Sequence, residues 1–138
     1  MPEDLYKDFI SSDDTLRIYE GGRLVFSSRK ARLLPLMEYI DSGKSGGGGA
    51  AVYDKVMGNS AALLAVKINA AEVYSPLGSE PAVKTLDKHD IRYRLDKIVP
   101  RIKRPDGRGP CPMEELSLGK GPDEFYLALR ERMKGEVT

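Results

Sequence analysis

Apolar positions recur along this chain in two rhythms, and the switches between them lay out most of its elements. Leu5, Phe9 and Ile10 share one helical face, which predicts a short helix from Asp4 to Ile10. Thr15 to Glu20 and Arg23 to Ser28 then alternate apolar and polar side chains around Gly21-Gly22. That pattern predicts a hairpin closed by a tight primed turn, whose positive φ angles glycine tolerates. Helical spacing returns with Leu33, Leu34, Leu36, Met37 and Ile40. Pro35 falls early in that segment, where it fits the first turn of a helix beginning near Leu34 or marks a kink.

A glycine run, Gly43 to Gly49, ends this helix. With Ala50, Ala51 and Val52 it reads as a pliable loop feeding an alanine-rich helix, from about Asp54 or Asn59 to Val66. Small and apolar residues circle nearly all faces of that helix, as in a buried one. Ala71 to Ser75 predicts a strand, and Ser79 to His89 a helix with Ser79 as cap and Pro81 in the first turn. Ile91 to Leu95 alternates as a strand. Strand, helix and strand in such short succession predict a right-handed parallel crossover.

Arg101 to Pro110 is a basic, Pro/Gly-punctuated loop that delivers Cys111 to Leu116, a helix start. Pro122 to Met133 predicts a terminal helix packing through Phe125, Leu127, Leu129 and Met133 and stopped by Gly135. With no internal repeat and no linker, residues 1–138 are expected to form one domain. The fold class is α/β: a mixed sheet of four or five strands with helices on both faces, in three α/β/α layers.

Composition narrows the partners. The 22 basic and 21 acidic side chains leave a net charge of +1, so bulk charge draws the chain neither to nucleic acid nor to an anionic membrane. No apolar stretch approaches the roughly 20 residues that span a bilayer. The acidic start, Met1-Pro2-Glu3-Asp4, lacks the order of a signal peptide, so a cytoplasmic location is expected. One cysteine excludes an intramolecular disulfide, and one histidine leaves few routes to a zinc site or a histidine triad.

Candidate chemistry gathers at helix entrances. Gly58 lets a ligand approach the backbone at Asp54, Lys55, Asn59 and Ser60, where free N–H groups suit an anion and Lys55 adds charge. The plainer alternative makes Asp54 or Asn59 an N-cap and Gly58 a packing residue. Ser79 and Glu80 follow a strand at the edge where α/β sheets bind ligands, placed to read a hydroxyl or an amine, or only to complement the helix dipole.

Cys111 heads a helix, a position that favours a thiolate, while Glu114 and Glu115 in the same turn oppose one. Cys111 as N-cap with Glu114 reaching back is the structural reading, and Met113 lies beside them. Gly43-Lys44-Ser45 is not a Walker A loop, because Glu38 stands where its first glycine is required. A flexible loop or lid fits the run better, with Lys44 able to swing onto a ligand. His89 reads as a solvated side chain at a helix C-terminus. Arg101, Lys103, Arg104 and Arg108 form a basic cluster without interleaved aromatics, a poor fit to nucleic acid.

The order of elements, with Asp54-Lys55-Val56-x-Gly58-x-x-Ala61-Ala62-Leu63-Leu64 in the middle and Cys111-Pro112-Met113-Glu114-Glu115 late, resembles an uncharacterised prokaryotic family whose fold is similar to that of cytidine deaminases. The resemblance spans roughly Leu16 to Leu118 and implies a cytidine-deaminase-like fold. It does not carry the zinc chemistry. Zinc deaminases open the central helix with His-Ala-Glu and the next with Pro-Cys-x-x-Cys. Here those places hold Asn59-Ser60-Ala61 and Gly78-Ser79-Glu80-Pro81-Ala82, while Pro110-Cys111-Pro112 comes one strand and one helix too late.

The expectation is therefore a metal-free, cofactor-free protein that binds a nucleotide- or nucleobase-like molecule. Its site is drawn from Asp54, Lys55, Gly58, Asn59, Ser60, Ser79, Glu80, Cys111 and Met113. The alternatives are a metal-independent transferase or hydrolase using Lys55, Cys111 and Glu114, or a structural module pairing with a second copy of the chain.

Overall fold

A computed structural model describes residues 2–31, 33–43, 49–104 and 106–137. The chain runs α1 (Pro2–Ser11), β1 (Leu16–Glu20), β2 (Arg23–Ser28), α2 (Leu34–Asp41), β3 (Ala50–Asp54), α3 (Asn59–Lys67), β4 (Ala70–Ser79), α4 (Glu80–Lys88), β5 (Arg92–Val99), α5 (Pro112–Ser117) and α6 (Pro122–Val137). One mixed sheet holds five strands in the order β2-β1-β3-β4-β5. β1 is antiparallel to both neighbours, and β3, β4 and β5 are mutually parallel.

The hairpin forms where the alternation places it. Gly21 and Gly22 carry φ angles of +58° and +78°, the turn that only a residue without a Cβ adopts freely. The β1–β2 register skips Val25 between the pairs Ile18–Phe26 and Tyr19–Leu24, a bulge that bends the outer strand. α2 begins at Leu34 with Pro35 in its first turn, and Ser79 caps α4 by accepting the Ala82 N–H at 3.3 Å.

Three expectations need correction. Ala50 to Asp54 is a central strand rather than the approach to a helix. Ala50, Val52 and Asp54 share one face, Ala51 and Tyr53 the other, and burial between two neighbours outweighs the helical preference of alanine. β4 and β5 also run several residues past the alternating cores that announced them. At the C-terminus, α6 continues through Gly135 to Val137. A lone glycine costs an exposed helix about 1 kcal/mol, too little to end a 16-residue helix anchored through Phe125 and Leu129. The segment 44–48 of the glycine run lies outside the described residues.

The sheet separates two apolar clusters. Leu16, Ile18, Val52 and Val73 join α2, α3, α4 and α6 through Leu36, Met37, Leu64, Leu86, Phe125 and Leu129. Alternate residues Tyr19 and Tyr53 instead meet Tyr6 and Phe9 of α1. There Tyr53 stacks on Tyr74 at 4.7 Å between ring centroids, with the rings 20° apart. α3 is buried from Asn59 through Ala65, so the entrance to this helix lies inside the protein.

Candidate functional site

At the carboxyl end of β3 the chain leaves the sheet for two residues and then returns. The Met57 N–H donates to the Leu77 carbonyl at 2.7 Å, and the Ser79 N–H donates to the Met57 carbonyl at 3.2 Å. Lys55 and Val56 are thereby extruded, and their neighbour Asp54 is left at the strand end. Lys55 turns toward α1: its ammonium donates to the Ser12 and Asp14 carbonyls at 2.8 and 2.9 Å and lies 4.7 Å from the centre of the Phe9 ring. This cation fastens the α1–β1 connection.

The entrance of α3 is filled by the chain itself. Gly58 is its extended N-cap residue and has no side chain to offer the orphan N–H groups. Glu114 supplies the acceptor instead. Its carboxylate, 1% exposed, takes a short hydrogen bond from the Asn59 N–H and one of 3.1 Å from the Ile102 N–H. A carboxylate at a helix N-terminus is stabilised by both the hydrogen bonds and the macrodipole. It occupies the position that a bound anion would take. In the sequence Glu114 read as reaching back within its own helix; the fold sends it across to α3.

Asn59 completes a buried polar network. Its amide donates to the Ser117 hydroxyl at 2.9 Å and, more weakly, to the Ser117 carbonyl at 3.3 Å, while its carbonyl accepts from the Thr85 hydroxyl. The Ser117 hydroxyl in turn donates to the Glu114 carbonyl at 2.5 Å. α3, α4 and α5 are thus tied at one point. The basic loop folds over it as a narrow ribbon, with Lys103 opposite Pro110 and the Cys111 N–H on the Ile102 carbonyl at 2.9 Å.

Of the expected site residues, Gly58, Asn59 and Glu114 meet directly, and Ser79 joins them through Met57. Ser60 is buried in the same helical turn, and Glu80 is exposed at the rim. Cys111 is the half-buried N-cap of α5, with no cap hydrogen bond from its thiol. Met113 packs against the main core. Cys111 and Glu114 both belong to the start of α5 and share Ile102 as a backbone partner, whereas Lys55 is held apart by the α1–β1 connection. Among the described residues, no group of three or more His, Cys, Asp or Glu is placed to hold a metal ion. His89 is the exposed C-cap of α4.

Thr85, Ser117 and Ile102 belong to this centre and were not singled out in the sequence. Their only signal is the spacing of Glu114 and Ser117, one turn apart in a short helix. Gly58 is fitted to the arrangement, since a Cβ there would lie 3.1 Å from Ile102 and 3.2 Å from the nearer Glu114 oxygen. Gly58→Ala is expected to cost about 1–2 kcal/mol by pressing Glu114 off its donors. Urea unfolding checks this. In a Glu114→Ala background the same change is expected to cost less, because only the contact with the Ile102 side chain is then left.

Asp54 is the electrostatic exception. It is 8% exposed, and the Val56 N–H at 3.3 Å is a long hydrogen bond. Burial pushes its carboxyl up to about 7, against smaller opposing effects from the backbone of Val56 and Lys55. Among the described residues no cation pairs with it. The Asp14 carboxyl, at the other extreme, is lowered chiefly by its hydrogen bond to Arg17.

A family model described as a domain of unknown function, DUF1893 (TM1506), matches residues 5–133. A crystal structure of a DUF1893 family protein (TM1506) from Thermotoga maritima superposes with a TM-score of 0.85 at 26% sequence identity, covering 95% of this chain and 88% of that one. No curated protein matches the chain.

Proposed function

The chain belongs to the DUF1893 family, a domain of unknown function, and we propose that it binds a small nucleobase- or nucleotide-like molecule at the carboxyl end of β3 and β4, with Asp54 as the recognising acid. The observation that carries this reading is the cost of Asp54. A carboxyl raised to about 7 by burial, with no cation repaying it among the described residues, weakens the fold at neutral pH. Groups of that kind concentrate at functional sites.

The ligand class follows from the acid. Near neutral pH such a carboxyl presents either an O–H donor or two acceptors. Those are the complements of a heterocyclic edge carrying N–H beside a ring nitrogen. The place agrees with the general rule for parallel sheets, whose ligands lie beyond the carboxyl ends of the strands. The same reading takes Gly58, Asn59, Ser60, Ser79, Glu80, Cys111 and Met113 as the further contacts, with Lys55 engaged by the Ser12 and Asp14 carbonyls. A three-layer, cytidine-deaminase-like arrangement without zinc motifs belongs to the same reading.

A second reading, a structural or interaction module, draws on a different observation. Glu114 already occupies the anion position at α3, so that entrance is complete without a ligand.

Calorimetric titration with free bases, nucleosides and nucleotides at pH 6 and 8 separates the two. At least one class is expected to bind with a dissociation constant below about 100 μM, and Asp54→Asn to weaken it tenfold or more with the fold intact. No binding across the panel leaves the structural reading in place.

A further inference from the structure

The two edges of the sheet are unequal. β2 is bent by its bulge, a common protection of an open edge. β5 pairs with β4 in regular register from Arg92 to Val99. It is exposed at Arg92, Tyr93, Arg94, Asp96, Lys97 and Ile98, and its outer row of backbone donors and acceptors has no partner strand among the described residues. Such an edge is a template for another strand unless its charges repel one.

Side-chain order decides which strand it fits. When β5 meets β5 of a second copy antiparallel about Leu95, Arg94 lies opposite the other copy's Asp96, Tyr93 opposite Lys97 and Arg92 opposite Ile98. Directly opposed residues share a face, and opposite charges there are favourable. Arg94 and Asp96 are already paired with each other and with Glu3 and Tyr6 inside the chain, so the charge left to select the register is Lys97, opposite Tyr93. Beside Tyr93 lies an open cleft of about 460 Å³ lined by Asp87, Asp90, Ile91 and Arg92. This two-fold register brings the other copy's Lys97 to the acidic cleft, and does so twice.

We propose that this chain forms a two-fold dimer through antiparallel β5–β5 pairing about Leu95, giving a continuous ten-stranded sheet, with Lys97 of each copy held in the Asp87–Asp90–Tyr93 cleft of the other. The charges of β5, which would repel a foreign strand, select a second copy of the same one. One strand pair is a small interface, so the dimer assembles in the micromolar range.

Sedimentation velocity between 1 and 300 μM tests the proposal, with circular dichroism reporting the fold of each variant. A concentration-dependent dimer is expected. Lys97→Glu alone and Asp87→Lys alone are expected to weaken it at least tenfold, and the double exchange to restore it. In a Cys111→Ser background, Tyr93→Cys with Lys97→Cys is expected to cross-link under mild oxidation, since opposed Cβ atoms lie within disulfide reach. Leu24→Cys on the bulged edge is expected not to. A monomer throughout the range overturns the proposal, as does a dimer indifferent to Lys97→Glu and without the cross-link.

Discussion

Replacing Asp54 by Asn is expected to stabilise the protein by about 2–3 kcal/mol at pH 8 and to destabilise it by about 1–2 kcal/mol at pH 4. The sign follows from the direction of the shift. The carboxyl is at about 7 in the folded chain and near 3.8 in the unfolded one, so between those values the folded chain binds more protons. Its favourable contribution is complete below pH 4, falls steadily as pH rises, and is gone above pH 7. The full loss is about 4 kcal/mol, at 1.36 kcal/mol for each unit. Asparagine cannot ionise and keeps the acceptor for the Val56 N–H, so the variant escapes that decline. Its buried amide donors return about 1–2 kcal/mol of the gain.

Urea midpoints of both proteins between pH 4 and 8 measure the difference directly. A difference that swings in favour of the variant between pH 4 and 7 and then levels identifies burial of the charge as its source. A constant gap assigns the effect to packing, and with it Asp54 loses its claim to be a costly acid. The stability experiment and the titration proposed above therefore bear on one residue from two sides. A substitution that strengthens the fold while abolishing binding is the behaviour expected of a functional group retained at a structural cost.

Much of the architecture was legible because it rests on local chemistry. Gly21-Gly22 between alternating runs has few outcomes other than a hairpin. Ser79 with Pro81 marks the start of α4, and Cys111 with Pro112 that of α5, as capping and fixed φ angles require. β3 was obscured because Ala50 and Ala51 carry helical preference, and only pairing with β1 and β4 turns them extended. The site was legible in part for the same reason. Gly58 and Asn59 announce a helix entrance, but nothing near them announces its occupant. Glu114 arrives from 55 residues away, and Thr85 and Ser117 look like ordinary solvated hydroxyls until the helices meet. Lys55 shows the converse, since its place at the expected helix entrance suggested a ligand contact and the fold engages it with the Ser12 and Asp14 carbonyls.

Glu114→Ala is expected to cost about 3–5 kcal/mol, lowering the melting temperature by roughly 10–15 °C. The change removes one carboxylate and leaves two buried donors, the Asn59 and Ile102 N–H groups, without an acceptor. Each charge-assisted bond is worth about 1.5–3 kcal/mol, and the loss of favourable charge at the helix N-terminus adds to this. Glu114→Gln keeps the shape but turns an NH2 group toward one of those donors, so an intermediate loss of about 2 kcal/mol is expected. A simple cavity would not distinguish these causes, but added anions do. Formate is small enough to enter the vacated space and accept from both N–H groups. Its addition is expected to raise the melting temperature of Glu114→Ala, by the mass action of a ligand that binds only the folded chain, and to leave wild type unmoved. Stabilisation by formate in both proteins would place the anion elsewhere. None in either would mean that the ribbon from Ile102 to Cys111 collapses onto α3 once the carboxylate is gone. Rescue confined to the variant would show that Glu114 is the helix's own bound anion, supplied by the chain at the entrance where the sequence suggested an external one.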